Sequence, residues 1–582
     1  MKEFLKKFLY ILGESKKKLF LVALLFLVVA GLDFLGIGMF IPLVSIIMSP
    51  ENIQEQFLFQ YVNRKVDIEV GAFSLFLCVG ILVIFFLRNV LFLASNAYIF
   101  KFSFSQMAHL REKLLSSYMN LPYVWHLKQN SSRIIQNINS EANQFCNSVL
   151  LPFLKLFGQL IVLLFLLFLI LQENVLFTLG LFLVLFIVFL VYFFYTKRVS
   201  SRLGKEISLS NEEIIKNIKQ GLGSIKDAKV TAREDFFKEN VRNEADRFAK
   251  ANTKHQIINF SPTSIIELVI ITYIIAWFGV YFALGFDVQS LIPLLTIVAL
   301  AGLRVLPMIS QIMQAVNNFH RSEFFLNKLY NDLVDLEKIG KDVASKKIKN
   351  FQRIEIKNLY FNYDEEPILK NISFAFNKND IIGITGETGS GKTTLINVLL
   401  GLLKNNEGKI MVDGKEYSNK YLRHLMAYIP QDIFLLDDTI KRNIAFGIRD
   451  KDIDEKKVVE SLKAAQVYDF VEKLPEKTEA IVGENGVRLS GGQRQRLGIA
   501  RALYHDRKIF VFDEATSSLD YKTEKKVQEA IMSLKDKKTI IMIAHRLRTL
   551  GECDIIHIIK NGQIVKSGNY AEIKGYFSES AE

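Results

Sequence analysis

The sequence predicts a multi-domain chain in which an all-α membrane domain of six helices is followed by an α/β domain. Phe, Leu, Ile and Val dominate residues 1–320, whereas the rest of the 582 residues has the composition of a soluble protein. The first part holds six apolar runs, and each reaches the roughly 20 residues that a spanning helix needs. These runs are 19–48, 71–100, 148–171, 175–195, 258–285 and 289–317. We therefore predict a transmembrane domain at 1–320, a linker helix at 321–345 and an α/β domain at 346–582.

The basic residues predict how the membrane helices are oriented. Lys16, Lys17 and Lys18 precede the first run, and the long connections at 101–147 and 197–254 are rich in Lys and Arg. The other connections are short and mostly acidic, so the positive-inside rule assigns the N-terminus, both long loops and the α/β domain to the cytoplasm. We expect no cleavable signal, because the first run exceeds a signal-peptide core and lacks a small-residue cleavage site.

Charge and cysteine usage argue against two classes of protein. The net charge of +13 is explained by basic loops beside membrane helices, so we do not expect nucleic-acid binding. Cys78, Cys146 and Cys553 are scattered along the chain, so no disulfide framework is implied.

The two long loops have helical periodicity, so we expect the membrane helices to continue into the cytoplasm. "NLPYVWHLKQN" at 120–130 and "GLGSIKDAKV" at 221–230 interrupt the pattern and mark two turning points, each suited to present a short helix to another domain. On the outer side, "ENIQEQFLFQYVNR" at 51–64 has one apolar helical face. An amphipathic surface helix and a loop packed on the protein both stay open for this segment.

The first functional motif of the second part is "IIGITGETGSGKTT", a predicted strand followed by G-x4-G-K-T and a helical pattern. Gly386, Gly389 and Gly391 allow backbone N–H groups to point at phosphate oxygens, with a helix N-terminus behind them. Lys392 would reach the β- and γ-phosphates, and the Thr393 hydroxyl would bind Mg²⁺.

A pair of acids ends an apolar strand in "KIFVFDEATSSLD". Asp513 suits the Mg²⁺ shell, and Glu514 suits the orientation of an attacking water. Acids at a strand end also cap helices, so this motif is weak alone. Together with the phosphate loop it predicts a site that hydrolyses a nucleotide.

Between these motifs, "RLSGGQRQRLGIARAL" at 488–503 places Ser490, Gly491 and Gly492 at the start of a basic helix. This arrangement again gathers free N–H groups for an anion. "LSGGQ" just before the acidic motif resembles the signature of ATP-binding cassette (ABC) proteins. The resemblance implies that the α/β domain is a P-loop NTPase of the cassette type.

The resemblance also assigns roles to residues outside these motifs. Tyr363 stands where the family stacks an aromatic ring on adenine, Gln431 where a glutamine touches Mg²⁺ and water, and His545 where a histidine contacts the γ-phosphate. It implies ATP and Mg²⁺ as cofactors, catalysis by Glu514, His545 and Gln431, and metal binding by Thr393, Gln431 and Asp513. It implies ATP binding by Tyr363, Gly386, Gly389, Ser390, Gly391, Lys392, Thr393, Thr394, Gln431, Ser490, Gly491, Gly492, Gln493, Asp520 and His545.

Two positions depart from the family pattern. "VGENG" at 482–486 has Asn485 where Arg is common, and "SSLD" has Ser518 in place of Ala. Neither change removes a group that hydrolysis needs. In this family the signature of one cassette completes the nucleotide site of another, and since all motifs are intact here, the resemblance implies a homodimer.

Six helices with two long cytoplasmic loops, joined to one C-terminal cassette, resemble the exporter half-transporter type over the whole chain. The resemblance implies that the turning points near Pro122 and Ile225 are coupling helices that rest on the cassettes. ATP binding would close the cassettes and turn the helices outward, and hydrolysis would reset them. The expected location is the bacterial inner membrane, with the N-terminus and the cassette in the cytoplasm.

Five ionisable residues lie inside the predicted spans: Asp33, Arg88, Lys155, Glu267 and Arg304. Asp33, Arg88 and Arg304 fall at comparable depths of about 21–26 Å from the external helix ends, at 1.5 Å per residue. Because charge in a bilayer is costly, such residues usually face the bundle interior or a wet cavity. Two alternatives stay open: these charges pair with each other, or they line a cavity that grips an anionic headgroup.

Two stretches narrow the resemblance further. "LDFLGIGMFIPLV" at 32–44 and "LAGLRVLPMISQIMQAVNNF" at 300–319 resemble the first and sixth helices of ABC proteins that flip lipid-linked oligosaccharides in bacteria. We therefore expect ATP-driven export or flipping of a lipid-linked oligosaccharide. Export of lipid A, drugs or peptides is the alternative within transport. An ATP-gated channel or regulatory subunit is the alternative outside it, although such proteins often lose a hydrolytic residue.

Overall fold

The computed structural model of the protein describes residues 2–40, 43, 46, 60, 70–173, 175–284, 292–339, 348–363, 366–515, 521–544 and 546–579. The chain forms two compact units. The first consists of Met1–Leu121 and Gln129–Lys341, and the second of Pro122–Lys128 and Asp342–Glu582. The external segment at 51–64 lies outside the described residues except for Gln60.

The helices of the first part of the chain include four that are much longer than a membrane is thick. In chain order they are α1 (Lys2–Leu12), α2 (Leu19–Gly38), α3 (Val70–Met119), α4 (Tyr123–Lys128), α5 (Ser131–Gln136), α6 (Ala142–Gln144), α7 (Leu151–Glu173), α8 (Val175–Gly223), α9 (Ile225–Val230), α10 (Glu234–Ala283) and α11 (Ile292–Ile339). A 3₁₀ turn, Gly13–Lys18, joins α1 to α2, and the π-helical turns Asn137–Glu141 and Phe145–Leu150 flank α6.

Within the described residues, five helical segments are long and apolar enough to cross a membrane. They are Ser15–Gly38, Gly71–Met119, Ser131–Phe168, Val175–Gly223 and Glu234–Val280. The predicted sixth span falls in α11, whose side chains at 292–301, 303 and 304 are not among those described. Helices of 48 to 50 residues, such as α3, α8, α10 and α11, are about 72–75 Å long, more than twice the hydrocarbon thickness. They therefore continue beyond the bilayer.

The first unit has a buried apolar cluster and an apolar exposed surface, as membrane proteins do. Ala30, Leu166, Phe177, Ile266 and Met313, from five different helices, belong to one buried apolar cluster. Large apolar side chains elsewhere on the same helices are exposed, which a lipid environment tolerates. Small residues allow close approach between helices. A Cβ at Gly158 of α7 would lie 2.2 Å from the Phe26 ring of α2, so no larger residue fits there.

The second unit is an α/β domain with two sheets. The strands are β1 (Arg353–Asn362), β2 (Pro367–Asn377), β3 (Ile381–Gly386), β4 (Glu407–Val412), β5 (Lys415–Tyr417), β6 (Met426–Ile429), β7 (Ile509–Asp513), β8 (Thr539–Ile543), β9 (Ile555–Lys560) and β10 (Gln563–Gly568). The helices are α12 (Lys392–Leu399), α13 (Ile440–Ile444), α14 (Glu455–Ala464), α15 (Tyr468–Glu472), α16 (Gly491–Tyr504), α17 (Tyr521–Met532) and α18 (Tyr570–Glu579).

One sheet is antiparallel, in the order β2-β1-β4-β5, and the other has the order β10-β9-β3-β8-β7-β6. In the second sheet β9, β3, β8, β7 and β6 run parallel. β7 and β8 are buried along their whole length, which explains their continuous apolar sequences "IFVFD" and "TIIMI". The two units confirm the predicted fold class, an all-α membrane domain followed by an α/β domain.

Candidate functional site

Part of the predicted nucleotide site, namely the phosphate loop, the Asp513–Glu514 pair and Gln431, lies at the carboxyl edge of the six-stranded sheet. Ile384 of β3 pairs in register with Ile543 of β8, and Ile543 pairs with Asp513 of β7. β6 runs parallel to β7 on its other side. The phosphate loop after β3, Glu514 after β7 and Gln431 after β6 therefore follow the ends of parallel strands at one edge of the sheet, where ligands bind in open α/β sheets.

Glycines shape the loop between β3 and α12. Gly389 and Gly391 have φ values of +81° and +103°, which side chains other than hydrogen rarely permit. A Cβ at Gly386 would lie 2.1 Å from the Ile559 carbonyl oxygen, so the strand cannot carry a side chain there. Gly391 caps α12, and the free N–H groups of a helix N-terminus suit a phosphate group. The buried Ser390 lies inside this loop.

Lys392 folds back over the same loop. Its ammonium donates to the Gly386 carbonyl at 2.9 Å and to the Glu387 carbonyl at 2.8 Å. Burial lowers the pKa of Lys392, and the nearby charges of Glu514 and Asp513 act in the opposite direction. The cation is thus held where the loop, the strand end and a bound phosphate would meet, by carbonyls that it can leave for stronger phosphate contacts.

The acidic pair at the end of β7 is held from two sides. The Tyr428 hydroxyl donates to the buried Asp513 carboxylate at 2.9 Å. Burial and the Asp513 charge raise the pKa of Tyr428, so the phenol stays a donor. Glu514 has a φ of +51°, and its N–H donates to the Ile543 carbonyl at 3.1 Å. Such left-handed backbone at a non-glycine residue is concentrated at functional sites.

Tyr363 lies beside the first turn of α12. Its side chain hydrogen-bonds to Thr394, and burial raises the pKa of its phenol. The Phe361 ring packs edge-on against it at a centroid distance of 5.0 Å. Stacking on adenine stays a prediction, but the ring is near the loop that would hold the phosphates. The neighbouring Thr393 is exposed on the same turn.

The "LSGGQ" segment forms the start of α16. Ser490 caps the helix by accepting from the Gln493 N–H at 3.3 Å, and the Ser490 N–H donates to the Gln493 side chain at 2.7 Å. This capping box fixes the turn that contains Gly491 and the buried Gly492. One turn further on, Gln495 donates to the Gln431 carbonyl at 2.6 Å and so ties the two motifs together.

Asp520 and His545 lie outside the described residues, but their neighbours are connected. Glu524 in the first turn of α17 is buried and accepts from Arg548 at 3.0 Å, with Arg546 at 3.7 Å. This ion pair joins the helix after Asp520 to the segment after His545. Glu524, Tyr428 and Gln495 were not singled out from the sequence, because nothing in the local pattern distinguishes them from ordinary polar residues.

The residues present suit Mg²⁺ as a partner of ATP. Thr393 is an exposed hydroxyl next to the loop, and Asp513 supplies a carboxylate at the end of β7, two strands from β3 in the sheet. Gln431 adds an amide, and hard oxygen donors of these kinds are what Mg²⁺ prefers. When bound, the ion would neutralise phosphate charge.

The two predicted turning points differ in their surroundings. α4, at the first of them, belongs to the same compact unit as the α/β domain, and its Val124 packs against that domain's apolar core. α9, at the second, belongs to the membrane unit. Its Ile225 is 48% exposed and its Val230 79% exposed.

In the membrane unit, Asp33 and Arg88 form a buried ion pair between α2 and α3. The Arg88 Nε lies 2.8 Å from Asp33 Oδ1, and Nη2 donates to Oδ2 at 3.0 Å. The guanidinium also lies over the Phe92 ring at 4.7 Å. These contacts support the pairing alternative for Asp33 and Arg88. The side chain of Arg304 lies outside the described part of the structure.

A polar cavity of about 550 Å³ lies elsewhere in this unit, bordered by α7, α10 and α11. Its polar lining consists of Asn147, Lys155, Gln159, Thr263, Ser310, Gln311, Gln314 and Asn318. The Thr263 and Ser310 hydroxyls are 2.6 Å apart, and the Lys155 ammonium lies 5.2 Å from the Phe100 ring centroid. No carboxylate is among the described lining residues, so the cavity offers hydroxyls, amides and one cation.

Two family models match the sequence. A model described as "ABC transporter transmembrane region" matches residues 19–303, and one described as "ABC transporter" matches residues 369–517. The two matches fall on the membrane unit and on the α/β domain. They support the expected family on both parts of the chain.

Curated relatives include proteins named "ATP-dependent lipid A-core flippase". The relative from Saccharophagus degradans is 41% identical over 222 residues, 38% of either chain. The relative from Pasteurella multocida is 39% identical over 247 residues, 41% of this chain and 42% of the relative. The similarity thus spans about two fifths of each relative's length. A bacterial Atm1-family ABC exporter with ATP bound is similar in fold, with a TM-score of 0.75 over 98% of this chain and 99% of that one, at 19% identity.

Proposed function

Because this chain belongs to the ABC transporter family, as an exporter-type half-transporter with a transmembrane region and a cassette on one polypeptide, we propose that it hydrolyses ATP to move a lipid-like substrate across a membrane. The observation that carries the proposal is the grouping of Lys392, Asp513 and Glu514 at one sheet edge. The location proposed is the bacterial inner membrane, with the N-terminus and the cassette in the cytoplasm.

The proposed hydrolysis uses groups that the fold already holds in place. The N–H groups of the loop and the Lys392 ammonium would bind the phosphates, and Tyr363 would stack on adenine. Glu514 would orient the attacking water, and His545 would contact the γ-phosphate. Asp513 would complete the metal shell, with its lone pairs directed by the Tyr428 hydroxyl. Each of these roles is a proposal that substitution of the single residue tests.

We propose that the working unit is a homodimer. α9 carries exposed apolar side chains and borders an apolar hollow of about 570 Å³ that includes Leu222 and Phe237. It lies in a long loop that the positive-inside rule assigns to the cytoplasm, so lipid does not account for this exposure. α4 is packed on the cassette of its own chain. A cassette of a second copy is the occupant we propose for α9, and the same dimer would bring each signature turn to a partner's nucleotide.

We propose a phosphorylated glycolipid as the substrate, most specifically a lipid-linked oligosaccharide. The polar cavity supports this choice, because hydroxyl and amide side chains match sugar hydroxyls and Lys155 matches a phosphate. A purely apolar drug would make no polar contact with the Lys155 ammonium or with this lining. Lipid A attached to its core is the second candidate, since relatives carry that substrate in their names.

Reconstitution in proteoliposomes tests the proposed substrate. Fluorescent lipid-linked oligosaccharide, lipid A, an ordinary phospholipid and a cationic dye would each be followed for ATP-dependent movement. We expect movement of the phosphorylated glycolipids and a loss of about tenfold with Lys155→Gln, because a charge-assisted hydrogen bond is removed. Glu267→Gln, at an exposed carboxylate in a span, is the matched control. Movement of the dye alone would reject the glycolipid.

A further inference from the structure

A third cavity, of about 360 Å³, lies where the end of α1 meets α3. It is separate from the nucleotide site and from the polar cavity that contains Lys155. Its lining has an apolar part and a polar part. The residues that matter here are Leu12, Leu110 and Phe145 on the apolar side, and Ser15, His109 and Lys113 on the polar side.

The walls of this cavity are fixed by contacts that need no ligand. Phe8 of α1 is fully buried, and its ring packs on Phe145 at 6.0 Å and on Phe153 at 4.6 Å between centroids. On the other side of α1, Lys7 donates to Asn327 at 2.9 Å. α1 is therefore anchored, and the cavity beside it is formed in advance, which lowers the entropic cost of binding.

Lys113 is the cation among the described residues that line the cavity. Lys16, Lys17 and Lys18 are exposed and follow directly after Ser15. The side chain of Lys113 is 39% exposed, and its ammonium lies 3.7 Å from Glu337, too far for a strong hydrogen bond. No carboxylate is among the described residues that line the cavity. An anion that entered the cavity could therefore form a closer contact with the Lys113 ammonium than Glu337 does.

The position of the cavity indicates where such an anion would come from. Ser15 is the first residue of the span Ser15–Gly38, so one side of the cavity lies level with the end of a membrane helix, and its α3 side lies on the cytoplasmic side of the apolar run 71–100. That is the level of the lipid headgroups, and basic pockets between helices on the cytoplasmic side bind anionic headgroups. The apolar wall suits the glycerol and the upper acyl carbons, and the polar wall suits the phosphate.

We propose that this cavity binds the phosphate headgroup of an anionic phospholipid from the leaflet that faces the N-terminus. The lipid joins α1 to α3, with its phosphate on Lys113 and its glycerol region against Leu12 and Leu110. The inference rests on the membrane orientation in the proposed function. The bound lipid acts as a structural ligand of the membrane unit and is distinct from the transported substrate.

Lipid binding in nanodiscs tests the proposal on the full chain. Wild-type protein, Lys113→Gln and Lys113→Arg are compared in phosphatidylcholine discs with rising phosphatidylglycerol, by native mass spectrometry of retained lipid and by thermal melting. We expect about fivefold weaker retention of phosphatidylglycerol in Lys113→Gln, because one lysine near the membrane surface contributes about that factor. Lys113→Arg keeps the charge and should retain the lipid. Lys6→Gln, an exposed lysine of α1 outside the cavity lining, should match wild type.

Two results would overturn this assignment. One is equal retention of phosphatidylglycerol by Lys113→Gln and Lys6→Gln, which would mean that general surface charge, and not the cavity, retains the lipid. The other is a melting increase produced by inorganic phosphate in pure phosphatidylcholine discs, which would make the ligand a soluble anion. Neither readout depends on transport. Normal lipid retention in a protein that moves no substrate would reject the proposed function and leave this site standing.

Discussion

Removal of the Asp33 carboxylate is expected to destabilise the membrane unit strongly. In Asp33→Asn the Arg88 guanidinium stays charged in a buried site, now without the carboxylate whose oxygens lie 2.8 and 3.0 Å from its nitrogens. Breaking a buried ion pair by removing one partner costs about 3–5 kcal/mol. The Asn89 side chain and the Phe92 ring still contact Arg88, so we expect a loss near the lower end, about 3 kcal/mol. That corresponds to more than a 100-fold change in the folded-to-unfolded ratio.

The double variant Asp33→Asn/Arg88→Gln separates pairing from a role in substrate binding. If the two charges exist to neutralise each other, the double variant recovers most of the lost free energy of unfolding, and the coupling between the sites is at least about 1 kcal/mol. Unfolding would be followed by dodecyl sulfate titration in mixed micelles and by thermal melting. Glu267→Gln, which removes an exposed carboxylate in a span, is the control and should be near neutral. Asp33→Asn as stable as wild type would refute the pairing, as would a double variant no more stable than Asp33→Asn.

Three further outcomes follow from contacts outside the spans. Glu524→Gln removes the ion pair with Arg548 and so loosens the segment after His545. ATP turnover should fall about tenfold or more, while nucleotide affinity stays within about twofold of wild type. Turnover equal to wild type would contradict a positioning role for Glu524. His557 is buried, which lowers its pKa to about 4, so the folded state resists protonation. Stability present above pH 6.5 should be lost as the pH falls toward 4, by about 3 kcal/mol, and His557→Gln should flatten that dependence in acid-unfolding curves. Val230→Asp in α9 should lower ATP turnover severalfold at unchanged melting temperature, and wild-type turnover would argue against docking of α9 on a second cassette.

The loop and strands around the candidate nucleotide site were predictable because local sequence patterns specify them. The glycines at 386, 389 and 391 and the apolar strands before Lys392 and Asp513 each have a physical reason that needs no tertiary contact. Parallel strands then bring their carboxyl ends to one edge, so separate motifs meet. The partners that hold the motifs were not predictable. Tyr428 and Gln495 contact residues that are far from them in the sequence, and local sequence patterns do not indicate such contacts.

In the membrane unit, too, some features were predictable from the sequence and others were not. Apolar runs predict spans, and counting along the helices places Asp33 and Arg88 at one depth, but only packing decides that they face each other. The polar cavity was missed for a related reason. Gln159, Thr263 and Gln311 lie on three different helices, and they become a site only when those helices are brought together.

Simultaneous measurement of ATP hydrolysis and lipid movement in one proteoliposome preparation tests the proposed function most directly. Wild-type protein should hydrolyse ATP and reorient a fluorescent phosphorylated glycolipid, and both rates should rise and fall together with ATP concentration. Glu514→Gln should still bind ATP but lose both rates by about 100-fold or more, since the carboxylate that we propose orients the attacking water is gone. Glycolipid movement at the wild-type rate in Glu514→Gln, or ATP hydrolysis by the wild type without movement of any lipid, would contradict the proposed coupling.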